Sequence, residues 1–262
     1  DPAMIEAMSE DVLVRAYFAA DACAGERIAS VRERLAQAED VGFDMGSLAL
    51  ALQNVREEDW AENWKQYYKP FRAGKTLVVK PTWEPYDAQA GDCVMEIDPG
   101  MAFGTGTHET TAMCLTLVER YMRPDMTVLD VGTGSGILSI AAALLGARRV
   151  LAVDLDPTAV RVARENIEHN HLAQVVEARE GDLLAGVDIR ADLVVANIIA
   201  NVIILLSPAV GAHLKPGGVF LCSGIIRERE QDVRDALQAA GYCPIDALYQ
   251  GEWVALAAKL DA

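Results

Sequence analysis

Apolar residues fall in a changing rhythm along this chain, and the change divides it. From Thr127 onward, short runs of Val, Leu, Ile and Ala alternate with stretches in which apolar residues recur every three or four positions. The runs predict buried strands, and the periodic stretches predict helices with one apolar face. Strands are expected near 127–131, 149–154, 174–179, 191–196 and 218–223. Helices are expected near 136–146, 157–170, 199–213 and 227–240, and 243–258 has the pattern of an antiparallel strand pair. Strands that are apolar at nearly every position and alternate with helices predict an α/β fold. Its sheet should be mostly parallel, seven-stranded and covered on both faces.

Before Thr127 the pattern is thinner. Val12–Phe18 and Leu48–Val55 have strand character, and Arg27–Ala38 predicts a helix with Ile28, Val31 and Leu35 on one side. A strand, a helix and a strand form a small α/β unit, thin for independent stability. Glu57–Tyr68 predicts a connecting helix closed by Pro70, with Trp60, Trp64, Tyr67 and Tyr68 along one stripe. That stripe suits a packing seam, with a platform for a peptide as the functional alternative. Strands over Thr76–Val79 and Cys93–Ile97 flank a turn punctuated by Pro81 and Pro85. The expected organisation is a small N-terminal α/β domain over 1–56, a linker helix over 57–69 and the large domain over 70–262.

Chemistry concentrates where the first strand of the large domain ends. Val128-Leu-Asp-Val131 runs into Gly132, Gly134 and Gly136, and Ile137–Leu145 then resumes a helical pattern. Glycines there permit a sharp turn and close approach of a ligand to the main chain. The helix behind them is expected to offer free N–H groups. Asp154 ends the next strand about 20 residues beyond the first glycine, the spacing at which a carboxylate can hold ribose hydroxyls. A dinucleotide fingerprint needs its last glycine at position 137, which is Ile. Asp130, just before the turn, would repel a diphosphate. A nucleoside with no phosphate and a cationic group fits better, and S-adenosylmethionine answers that description.

Asp98–His108 is a glycine-rich loop before a helix expected over 109–122, with Thr107 as its candidate cap and Thr110 and Thr111 in its first turn. Phe103, an apolar ring among glycines, suggests a flap over a ligand. His108 is expected to cap or pack rather than to act as a base, since no Ser or Cys nucleophile motif accompanies it. Past the third strand, Asp182 could accept from an adenine amine or close a turn on its own backbone. Asn197 ends the fourth strand, where its amide and the neighbouring carbonyls could align a substrate amine with a methyl group. The same side chain could instead cap the next helix. Lys215-Pro-Gly-Gly218 predicts a turn into the fifth strand.

The formal net charge of −16 argues against direct binding of nucleic acid and permits a basic protein partner. Hydrophobic residues make up 52% of the 262, yet no apolar run reaches the length of a membrane span. Five scattered cysteines without C-x-x-C spacing predict reduced thiols, a cytoplasmic location and no metal site.

Val128–Gly136 with Asp154, Asp182 and Asn197 resembles the class I S-adenosylmethionine-dependent methyltransferases, whose domain is Rossmann-like. Asp98-Pro-Gly-Met-Ala-Phe-Gly-Thr-Gly-Thr-His-Glu-Thr-Thr111 narrows this, together with Ala196-Asn-Ile-Ile-Ala-Asn201 and Asp59-Trp-Ala-Glu-Asn-Trp64. With these segments the chain resembles the methyltransferases of large-subunit ribosomal protein eleven (the PrmA family). The resemblance implies methylation of lysine ε-amines and the N-terminal α-amine of that protein, free or in the ribosome. It implies that the N-terminal domain binds the ribosomal protein. It places Thr111, Gly132, Asp154 and Asn197 around the cofactor, where the residue pattern itself adds Gly134 and Asp182, and Phe103 and Thr107 in a closing loop. The family usually carries a further strand and helix ahead of the segment matching Val12, so the 1–56 unit is expected to be either an incomplete or a reduced form of that domain. Methylation of another protein, an RNA or a small molecule, and a non-catalytic cofactor-binding role, stay open at this point.

Overall fold

The computed structural model describes residues 24–39, 68–98 and 106–260. The chain divides into two compact units, Asp1–Gln66 and Tyr67–Ala262. In the first, the described element is helix α1, Ala24–Glu39. Ile28 and Leu35 are half-buried on it and Val31 is exposed. The strands expected over Val12–Phe18 and Leu48–Val55, and the helix expected from Glu57, lie outside the described residues as far as Gln66. Tyr67 lies outside them too. Tyr68, the expected end of that helix, is irregular and buried, its ring 6.4 Å from that of Trp83.

The second unit opens with three short strands, β1 (Phe71–Arg72), β2 (Leu77–Lys80) and β3 (Cys93–Glu96), paired in that order. Helix α2 (Glu109–Tyr121) follows. Strands and helices then alternate: β4 (Thr127–Val131), α3 (Ile137–Leu144), β5 (Arg149–Asp154), α4 (Pro157–His169), β6 (Val176–Glu180) and β7 (Ala191–Asn197). The chain continues through α5 (Ala200–Val210), β8 (Leu214–Ile226), α6 (Glu230–Ala239), β9 (Tyr242–Gln250) and β10 (Trp253–Leu260). The seven strands from β4 on form one sheet in the order β6-β5-β4-β7-β8-β10-β9. The first five named are parallel, and β10 runs antiparallel to both of its neighbours. The expected α/β class with a mostly parallel seven-stranded sheet is thus the observed one.

The two-residue period of the strands sorts the core into two layers. Val128, Leu193, Val195 and Leu221 face α2, α3, α4 and the small sheet. Leu129, Val194, Ala196, Phe220 and Cys222 face α5 and α6. Continuing the alternation puts Asp130 and Asn197 on the α2 side. Sheet order reverses between β4 and β7, because connections leave the two strands toward opposite edges. Their carboxyl ends therefore open a crevice, where open α/β sheets take ligands.

One local expectation is corrected. Lys215-Pro-Gly-Gly218 is not a turn before a strand but lies within β8. Ala191 and Leu193 of β7 face Leu214 and Val219, so two steps on one strand oppose five on the other and the extra residues bulge out. Strand β1 was not anticipated, since two residues carry no periodicity. No described helix is long and apolar enough to cross a membrane.

Candidate functional site

The glycine turn comes first because it shapes everything near it. Gly132, Gly134 and Gly136 all hold left-handed φ, at 76°, 56° and 84°, where side chains are strained. A Cβ on Gly136 would stand 3.2 Å from Ala163 Cβ, so this glycine also brings α3 close to α4. Within the turn itself, four N–H groups are bonded inside the protein. Gly132 and Thr133 donate to the Val153 carbonyl, Gly134 donates to Asp154 Oδ2 at 2.9 Å, and Gly136 donates to Thr133. Three of these donors go to β5, which leaves Gly132, Thr133 and Gly134 unable to cradle a phosphate, in keeping with a ligand that has none.

Asp154, half-buried at the end of β5, is oriented by that bond and by the Asp156 N–H on Oδ1 at 3.0 Å. Each carboxylate oxygen keeps capacity for a further donor. Leu155 beside it is 71% exposed, an apolar surface next to a fixed acid that suits a nucleoside base and that sequence reading passed over. Asp182 is exposed just past β6; its backbone carbonyl accepts from the Ala185 N–H at 2.9 Å, but its carboxylate bonds to nothing among the described residues, so the side chain does not close the turn. The Gly181 N–H on the Asp154 carbonyl keeps it beside β5.

Asp130 is fully buried. Its Oδ2 accepts from the hydroxyls of Thr133 and Ser139, both at 2.7 Å, while Oδ1 has no partner among the described residues. Burial pushes its pKa up to about 6; the two hydroxyl bonds oppose this and nearby Asp154 adds to it. A buried carboxylate with one oxygen unmatched calls for a cationic or donor group, the feature a sulfonium amino acid would bring. A raised acid pKa disfavours the ionised native form, so this stability term is present below the unfolded value and lost as pH rises through about 6. Relative to Asp130→Asn, the wild-type chain should lose about 3 kcal/mol between about pH 4 and about pH 7. Urea melts of both proteins across that range test this, and a constant difference would contradict it.

Asn197 closes the crevice from the other side. Its Nδ2 donates to Thr111 Oγ1 at 3.2 Å, and Oδ1 is buried without a partner among the described residues. It does not cap α5, whose N-cap is Ile199, without a side-chain bond. The segment after Asn197 is wedged between two glycines. A Cβ on Gly132 would stand 2.5 Å from Ile198 Cγ2, and one on Gly224, at φ 84°, would stand 2.3 Å from the Ile198 carbonyl oxygen. The Ile198 N–H is held at 3.1 Å by the Ser223 carbonyl. The backbone beside Asn197 is thereby fixed, and Ile199 stands 65% exposed next to it.

The loop before α2 is described only at its ends. Phe103 lies outside the described residues. Thr107 is exposed and does not cap α2. His108 does, its Nδ1 accepting from the Thr110 N–H, while its ring packs edge-on against Trp253 at 5.1 Å. A histidine next to a helix start competes with threonine for the cap, and the sequence offers no way to rank them. Of the predicted residues, the structure brings together Gly134 with Asp154 and Thr111 with Asn197, with Gly132 between through Ile198. Sequence reading missed Gly224, Leu155 and the hydroxyls of Thr133 and Ser139. A polar pair three and nine residues past a buried acid was the available signal for the last two.

A family model for ribosomal protein L11 methyltransferase (PrmA) matches residues 2–261. The ribosomal protein L11 methyltransferase of Pelotomaculum thermopropionicum is 52% identical over 249 residues, 95% of this chain and 80% of that one. That of Alkaliphilus oremlandii is 45% identical over 260 residues, 99% and 83%. The crystal structure of a ribosomal protein L11 methylase from Lactobacillus delbrueckii subsp. bulgaricus superposes with a TM-score of 0.68 at 35% identity. It covers 74% of this chain and 100% of that one. A 16S rRNA N2 G1207 methyltransferase from T. thermophilus, solved with AdoMet and guanosine, shares the fold with a TM-score of 0.52 at 24% identity. The match covers 64% of this chain and 47% of that one.

Proposed function

The chain belongs to the ribosomal protein L11 methyltransferase family, and from that premise we propose that it transfers methyl groups from S-adenosylmethionine to amino groups of ribosomal protein L11. The amino groups are lysine ε-amines and the N-terminal α-amine. The observation that carries the reading is the Asn197 side chain: a buried amide with one half tied to Thr111 and the other an unmatched acceptor.

The residues fit the cofactor by their chemistry. Asp154 would take the ribose hydroxyls, Asp182 the adenine amine, Leu155 the face of the ring and Asp130 the cationic end. Gly132 and Gly134 let these groups approach the main chain, and Thr107 and Phe103 belong to the loop assigned to cover them. When bound, S-adenosylmethionine supplies a methyl group already activated on a sulfonium. The protein's task is then alignment and exclusion of water. Asn197 Oδ1 accepts one N–H of the incoming amine, and the fixed Ile198 segment offers a carbonyl beside it. An acceptor without full charge holds a neutral amine with its lone pair directed away from the amide, toward the methyl. The amine loses its proton to solvent as it is desolvated, since burial lowers an amine pKa. The 1–66 unit is assigned to recognition of the ribosomal protein, and the net charge of −16 suits a basic partner.

Asp154→Ala should weaken binding of S-adenosylhomocysteine about 10- to 100-fold, the worth of hydrogen bonds to a charged group plus a loosened Gly134. Calorimetry giving equal affinities would remove Asp154 from the ribose. For the function itself, tritium from labelled cofactor is followed into whole large ribosomal subunits and the products are separated on a gel. Label in one small ribosomal protein is the expected result. Label in RNA, or none, would overturn the reading.

A further inference from the structure

Helix α4 and its C-cap carry two asparagines one turn apart, Asn166 and Asn170, that have no part in the proposed methyl transfer. Asn170 accepts from the Glu96 N–H at 2.9 Å and donates to the Glu96 carbonyl at 2.7 Å. Asn166 repeats this two residues further along the strand. It accepts from the Asp98 N–H at 2.9 Å and donates to the Asp98 carbonyl at 3.2 Å. The match is geometric. Four residues of helix rise about 6 Å, and two residues of strand rise about 6.5 Å. Side-chain amides at i and i+4 can therefore pair with backbone at j and j+2 as a neighbouring strand would.

Each Nδ2 makes a second bond, and the two differ in where it goes: that of Asn170 returns to the Asn166 carbonyl, at 2.7 Å, one turn back in its own helix. Asn166 is 1% exposed, and its Nδ2 makes a second bond, at 2.9 Å, to the carbonyl of Ser135, inside the glycine turn. One rigid carboxamide thus joins the backbone of Asp98, where the 98–108 loop begins, to the backbone of the turn. The Asp98 carboxylate is held separately, by the Thr82 N–H at 2.9 Å and the Thr82 hydroxyl at 2.7 Å. The far end of the loop meets the same region. Gly106, with φ 87°, is buried so tightly that a Cβ there would stand 2.9 Å from Ile137 Cδ1 and 2.8 Å from the Phe71 ring. Both ends of the loop are seated against the segment that runs from the glycine turn into α3.

We propose that Asn166 is a positioning residue that couples the start of the 98–108 loop to the cofactor turn, so that binding at the turn and the placement of Asp98 are linked. The inference rests on the assignment of the turn to S-adenosylmethionine. Coupling of this kind is reciprocal: what fixes one end favours the other. Asn170 supplies the internal control, since it clamps the same strand from the same helix without touching the turn.

The test uses the full chain and S-adenosylhomocysteine as the probe. Asn166→Ala should weaken its binding about tenfold, the worth of one well-made hydrogen bond. Asn170→Ala should lower the melting temperature comparably and leave the affinity within about twofold. Equal affinity losses in the two variants, or none in Asn166→Ala, would reduce Asn166 to a structural clamp and overturn the proposal. Should Asn166→Ala fail to fold, hydrogen exchange on the wild-type protein decides. Adding the probe should slow exchange at the Asp98 amide more than at the Glu96 amide, and equal protection would contradict the coupling. Absence of binding to the wild-type chain itself would instead refute the cofactor assignment, which keeps the two failures apart.

Discussion

Asn197→Ala is expected to lower kcat for methylation of the ribosomal protein by about 10²-fold, the scale on which a misplaced reacting group slows an aligned transfer. Cofactor affinity and melting temperature should change little. Truncation removes one hydrogen bond, to Thr111, but also removes a buried acceptor that has no partner among the described residues. Deleting an unmatched buried polar group offsets much of what the lost bond costs. The signature is therefore a fall in kcat with near-constant cofactor binding, read by steady-state kinetics alongside calorimetry. Unchanged turnover would remove Asn197 from the reaction.

Gly224→Ala should be more damaging overall. The residue sits at φ 84°, where alanine pays a conformational cost, and its new Cβ would meet the Ile198 carbonyl oxygen at 2.3 Å. Backbone cannot swing aside as a side chain can, so Ile198 must move. The expected loss is at least about 2 kcal/mol of stability, a fall in melting temperature of about 4–8 °C for a unit of this size. Activity in the folded fraction should drop more than about tenfold, because the displaced carbonyl adjoins Asn197. At Gly132 the corresponding contact is with a methyl, Ile198 Cγ2 at 2.5 Å, which can rotate away. Gly132→Ala should therefore retain more activity than Gly224→Ala. Equal kinetics in Gly224→Ala and wild type would show that the Ile198 backbone does not define the site.

The main sheet and its helices were legible because parallel strands must be apolar on both faces, and that constraint writes continuous Val/Leu/Ile runs into the chain. Asp154 and Asn197 were legible for a related reason. Each is the first polar residue after such a run, and the topology sends those positions to one edge of the sheet. What stayed hidden depends on pairings far apart in sequence. The Pro-Gly-Gly segment looks like a turn until β7 is laid beside it and the bulge becomes visible. The partners of the N–H groups in the glycine turn, Val153 and Asp154, lie on the neighbouring strand and leave no local mark. Asn166 lies on the buried stripe of α4, with Ala159, Val160, Ala163 and Ile167. One polar residue on an apolar stripe signals a specific buried partner, but the partners, Asp98 and Ser135, are 68 and 31 residues away. Thr107 and His108 competed for one cap, and only the geometry at Thr110 separates them.

The central claim is that a fixed, uncharged acceptor at Asn197 selects an amine as the methyl acceptor in ribosomal protein L11. It is tested most directly by incubating the purified chain with that ribosomal protein and labelled S-adenosylmethionine, then mapping the label by peptide mass spectrometry. The predicted result is label confined to lysine ε-nitrogens and the N-terminal α-nitrogen. Label on carboxylates, hydroxyls or guanidinium groups, or an unmodified protein, would contradict it.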